Sequence, residues 1–98
     1  MQLNRVICYI ITMNNCDKCK QAKERLKDFK SDVVELKYVN IDEDPEAMGF
    51  VDNYDIYYLP AYCFFGGKKL IYKTENTLEA LKYLEELDET VQDQQKLN

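Results

Sequence analysis

The sequence contains no histidine, and that single absence removes Ser-His and Cys-His nucleophilic catalysis together with imidazole ligation of metals. Any chemistry must rest on cysteine, lysine, tyrosine or carboxylates. Tryptophan is also missing, so indole fluorescence cannot report on folding or redox state. No apolar run approaches the roughly 18 residues that a membrane-spanning helix needs, which argues against a membrane partner. The opening Met1-Gln2-Leu3-Asn4-Arg5 lacks the apolar stretch and small-residue cleavage site of a secretion signal, so the expected setting is reducing and cytoplasmic. Excess positive charge is lacking too. A net charge of −5 argues against a general nucleic-acid-binding role, because phosphate contacts need a cationic face.

What is present suits one small globular unit. With 98 residues and a 46% apolar content, the chain can bury a single core without disulfide staples. The expected domain spans residues 1–92, with residues 93–98 as a frayed polar tail. A monomer is expected. Charge is unevenly spread: Lys18, Lys20, Lys23, Arg25, Lys27 and Lys30 crowd one segment, whereas residues 42–46 and 85–93 are acidic. A solvated helix face accounts for the basic segment more simply than an anionic partner does.

Hydrophobic periodicity divides the chain into seven elements. Residues 5–11 form an apolar, β-branched run expected of a central strand covered on both faces. Asn14 or Asn15 could cap a following helix, which begins at the first cysteine and carries Cys19, Ala22, Leu26 and Phe29 on one stripe. Val34, Leu36 and Tyr38 alternate with polar residues in a second strand over 33–41. Pro45 suits the first turn of a second helix with Ala47, Phe50, Val51 and Tyr54 as its apolar set. Residues 60–65 and 68–72 read as a hairpin turned at Gly66-Gly67. A last helix starts near Asn76 or Thr77, with Leu78, Leu81, Leu84, Leu87 and Val91 as its stripe. The β-α-β-α-β-β-α order predicts an α/β fold: a four-stranded mixed sheet flanked by three helices. Two βαβ crossovers with the last strand added antiparallel at an edge would satisfy that order.

The chemistry concentrates in Cys16-Asp17-Lys18-Cys19, placed where a buried strand hands over to a helix. A thiolate at a helix N-terminus faces the positive end of the macrodipole, so Cys16 is expected to be the more acidic and nucleophilic thiol. Cys19 falls on the apolar stripe, less exposed, and is expected to resolve a mixed disulfide formed at Cys16. Asp17 and Lys18 pull the Cys16 thiolate in opposite directions, and spacing alone leaves the net tuning open. A zinc site would need four ligands, whereas Cys8 and Cys63 stand isolated within apolar strands and read as small buried hydrophobes. The strand-to-helix position favours redox use over a pair that merely packs in the core.

With the cysteine pair, the element order and Leu59-Pro60 together, the chain resembles the thioredoxin superfamily, closest to small glutaredoxin-like thioredoxins. That resemblance implies a thioredoxin-like fold, a redox-active disulfide with no bound cofactor, and a cis proline at Pro60 lying against the active pair. Leu59 would offer its backbone to an extended substrate segment. It also implies disulfide-containing proteins as substrates, with a reductase or glutathione as electron donor. The chain departs from both relatives. Thioredoxins carry Trp-Cys-Gly-Pro-Cys and a buried Asp on the first strand, where this chain has Asn15, Asp17-Lys18 and Ile10. Glutaredoxins carry Cys-Pro-Tyr-Cys, a basic residue three before the first cysteine and Gly-Gly-x-Asp before the last helix. Here those places hold Asp17-Lys18, Met13 and Lys73-Thr74-Glu75-Asn76. The departures favour protein-disulfide reduction over strict glutathione dependence, and leave a non-catalytic binding module as the rival.

Overall fold

In the computed structural model, residues 5–96 are described, with side chains through residue 88. The elements are β1 (Val6–Thr12), α1 (Asp17–Leu26), β2 (Val34–Asn40), α2 (Ala47–Asn53), β3 (Ala61–Gly66), β4 (Lys69–Thr74) and α3 (Thr77–Lys96). The expected order is therefore found, and α3 continues beyond residue 92. The strands form one mixed sheet in the order β2-β1-β3-β4. β1 pairs parallel with β2, Cys8 opposite Leu36, and antiparallel with β3, Cys8 opposite Phe64.

The antiparallel β1–β3 pairing corrects the expectation of two βαβ crossovers. Only β1-α1-β2 is a parallel crossover; β3 returns in the opposite sense and leads through Gly67 (φ +65°) into antiparallel β4. The reason the direction was illegible is physical. β3 is buried on both faces, and a continuously apolar strand reads alike in either direction.

Pleating divides the core in two. Cys8 and Ile10 of β1 with Tyr62 and Phe64 of β3 face Ala22 and Leu26 of α1 and Ala80 and Leu84 of α3. Tyr9 and Ile11 with Cys63 and Phe65 face the other way, where Phe50 and Tyr54 pack. Phe29 lies past the end of α1 but still packs on the first cluster. The α3 stripe also needs correction: Leu78 is 64% exposed, whereas Ala80 and Leu84 are fully buried. Steps of three residues drift about 60° around a helix of 3.6 residues per turn, so a Leu ladder at i+3 leaves the buried face. Leu81 and Leu87 keep partial contact with the core. Val91 lies outside the residues whose side chains are described.

Candidate active site

Cys16 and Cys19 are joined in a disulfide, their Cα atoms 5.2 Å apart. The local fold follows from the chain at this point. Asn15 adopts a left-handed conformation (φ 57°), which asparagine tolerates better than most residues, and turns the chain out of β1. Cys16 then takes an extended conformation and caps α1 itself: its Sγ accepts the Cys19 N–H at 3.1 Å, and its carbonyl accepts the Lys20 N–H at 3.1 Å. Neither Asn14 nor Asn15 is the cap. Asp17 in the first turn and Lys23 and Arg25 in the last match the sign of the helix dipole at both ends.

Asn14 has a different task. Its N–H donates to Asp42 Oδ2 at 2.8 Å, and its side-chain oxygen accepts from Asn40 Nδ2 at 3.0 Å. The loop before the disulfide is thereby tied to the loop after β2, an anchorage that sequence reasoning missed. The Asn40 side chain fixes that loop by accepting the Asp42 N–H at 2.8 Å in an Asx turn, and no pattern in the sequence marks Asn14 as a partner of Asp42.

Burial distinguishes the two cysteines. Cys16 is partly exposed and Cys19 is 2% exposed, packed on the α1 stripe with Ala22 and Leu26. Asp17 and Lys18 point to solvent. Cys8 and Cys63 are free, fully buried and on opposite faces of the sheet. Burial, reinforced by the nearby Cys63, pushes the Cys8 thiol far above its usual range; burial pushes Cys63 up to about 11 against the pull of Lys73. Among the described residues, no group of three or more cysteine, aspartate or glutamate side chains is placed to hold a metal ion. The buried polar side chains among them are Thr12 and Thr74, and Ile10 is fully buried, so no buried carboxylate stands near the first strand.

The Leu59-Pro60 peptide bond is cis. Pro60 is buried and Leu59 half-buried. Both line a cleft of about 430 Å³ that Lys18, between the two cysteines, and Ala22 also line. Arg25, Thr77 and the exposed Leu78 are among its other lining residues. The four residues in the place of Gly-Gly-x-Asp are all engaged. Lys73 Nζ donates to the carbonyls of Tyr54 (2.8 Å) and Asp55 (3.1 Å), and Thr74 Oγ1 donates to Glu79. Glu75 accepts from the backbone at Tyr57 and Tyr58, and Asn76 Oδ1 caps α3 by accepting the Glu79 N–H at 3.0 Å. Tyr62, fully buried, ties its hydroxyl to Thr77 Oγ1 at 2.7 Å.

A four-stranded mixed sheet carrying three helices, with a Cys-x-x-Cys disulfide at the entry to the first, defines the thioredoxin-like class. The sequence profile of the glutaredoxin family matches residues 8–60, from within β1 through the cis proline. The chain belongs to the glutaredoxin family. A search of curated protein sequences finds no match. Among solved structures, thioredoxin f2 of Chlamydomonas reinhardtii is similar with a TM-score of 0.68 at 15% identity, covering 86% of this chain and 79% of that one. The thioredoxin of Plasmodium falciparum gives 0.68 at 22% identity, covering 87% and 73%. Thioredoxin O2 of Arabidopsis thaliana in its oxidised state gives 0.65 at 16%, covering 87% and 76%. At these identities the likeness establishes the fold.

Proposed function

We propose that the protein is a thiol–disulfide oxidoreductase that reduces protein disulfides through Cys16 and Cys19 and is recycled by a thioredoxin-reductase-like flavoprotein. The observation that carries this reading is the asymmetry of the pair: a partly exposed Cys16 at the helix N-terminus, its sulfur accepting an amide N–H, and a buried Cys19 one turn on. In the reduced protein the same amide and the helix dipole favour the Cys16 thiolate. That thiolate attacks one sulfur of a substrate disulfide; a Cys16–substrate bond forms, and the other substrate sulfur leaves as a thiolate that takes a proton from water. The Cys19 thiolate then attacks Cys16 Sγ, forming Cys16–Cys19 and releasing the second substrate thiol. The substrate gains two electrons and the dithiol loses them. With no buried carboxylate near the pair among the described residues, the Cys19 proton passes to solvent.

Leu59 and Pro60 are the substrate-side partners in this reading. Among the described residues the Leu59 N–H and C=O have no hydrogen-bond partner, and both are free to pair with an extended segment of the target. Asp17 and Lys18 tune the Cys16 thiolate from exposed positions.

Recycling by glutathione is the second reading, favoured by the cations Lys18 and Arg25 on the cleft wall, which suit an anionic tripeptide. Against it, Lys73, Thr74, Glu75 and Asn76 are committed to internal bonds. Insulin reduction assayed with thioredoxin reductase and, separately, with glutathione and its reductase distinguishes the donors. The expected result is turnover with the first and loss of it in Cys16→Ser. Wild-type activity in that variant would end the reading, and partner binding that survives alkylation without any turnover would favour a binding module.

A further inference from the structure

The segment that leads into the cis proline is anchored in the core at Ile56 and Leu59 but not at the two residues between them. Tyr57 and Tyr58 are 78% and 73% exposed, so neither ring anchors the chain in the core. Among the described residues, 57–59 make no backbone–backbone hydrogen bond. What holds the backbone of Tyr57 and Tyr58 comes from the end of β4. Glu75, just past β4, accepts the Tyr57 N–H at 2.7 Å and the Tyr58 N–H at 3.0 Å, both on one carboxylate oxygen. Two strand positions earlier, Lys73 holds the carbonyls of Tyr54 and Asp55. The loop is thus gripped by an acceptor at its donor end and a donor at its acceptor end.

We propose that Glu75 is a positioning residue for disulfide recognition: by fixing the backbone of Tyr57 and Tyr58 it presets the Leu59-Pro60 segment for pairing with a substrate strand. The inference rests on the oxidoreductase reading above and adds to it where selectivity for peptide substrates comes from. Glu75 does not touch the reacting sulfurs. Its effect is confined to substrates that use the Leu59 backbone, because only these gain from a segment ordered before they arrive. A charged acceptor shared by two amides is stronger than a neutral one, which is the reason for a carboxylate here.

Two disulfides test the assignment. Insulin presents its disulfide on a peptide backbone, whereas bis(2-hydroxyethyl) disulfide has none. Glu75→Ala is expected to raise KM for insulin about tenfold, on the order of the cost of ordering one backbone residue. Its kcat, its turnover of the small disulfide and the alkylation rate of reduced Cys16 are expected to stay within about twofold of wild type. Glu75→Gln, which keeps an acceptor but not the charge, is expected to fall between; being isosteric, it carries the test if the alanine variant does not fold. Unchanged insulin kinetics, or equal losses on both disulfides, would overturn the proposal while leaving the oxidoreductase reading intact. Wild-type protein inert toward both would overturn that reading and this inference with it.

Discussion

The amide of Cys19 donates to the sulfur of Cys16 across 3.1 Å, so one cysteine is at once half of the disulfide and the N-cap of the helix that carries the other. Cys16 Sγ thus faces the amide and the positive end of α1, while Cys19 lies buried with Ala22 and Leu26.

Burial sets the order of thiol reactivity. In reduced native protein, an alkylating reagent is expected to label Cys16 first and Cys19 slowly, and to leave Cys8 and Cys63 untouched, since both are solvent-excluded with raised thiol pKa values. Intact-mass measurement should find at most two labels in the native state and four in denaturant. A third label on native protein would contradict the placement of Cys8 and Cys63.

Two leucines of α3 separate the face that is packed from the face that is not. Leu84→Ala should cost roughly 2–5 kcal/mol, the range for truncating a buried leucine, because Leu84 is fully buried. Leu78→Ala, at a position 64% exposed, should stay within about 0.5 kcal/mol. Urea melts followed by far-UV circular dichroism compare the two; equal losses would restore the simple leucine stripe.

That contrast marks how far the sequence could be read. The βαβαββα order and the cysteine pair at a helix entry were legible, because they depend on local periodicity and on spacing along the chain, whereas Leu59-Pro60 stood out only through the resemblance to the thioredoxin superfamily. The direction of β3 was not, since an apolar run buried on both faces carries no polarity. The face of α3 was misjudged through Leu78, because hydrophobicity alone does not say that small Ala80 lies inside. Glu75, Lys73 and the Asn14–Asp42 tie escaped altogether. Each joins a side chain to a backbone 18 to 28 residues away, and polar residues in loops give no sign of such a partner.

Acid should loosen the clamp on the proline loop. The hydrogen bond from Tyr57 leads in holding the Glu75 carboxyl below its ordinary 4.5, helped by Tyr58 and Lys73 and opposed by partial desolvation. A folded-state pKa below the unfolded one means that this stabilisation is complete above about pH 4.5 and is lost as pH falls through the lower folded value. The stability difference between wild type and Glu75→Gln should therefore shrink as the pH drops below 4.5 in a series of urea melts. A difference that grows on acidification would contradict the assignment.

The division of labour between the two sulfurs is tested most directly by trapping the mixed disulfide. Reduced Cys19→Ser protein, incubated with oxidised insulin and read by non-reducing electrophoresis and peptide mass spectrometry, is expected to accumulate a covalent adduct at Cys16 that dithiothreitol releases. Reduced Cys16→Ser protein is expected to form little or none. Adducts through Cys19 in the Cys16→Ser protein, or equal adduct in both variants, would contradict Cys16 as the attacking sulfur.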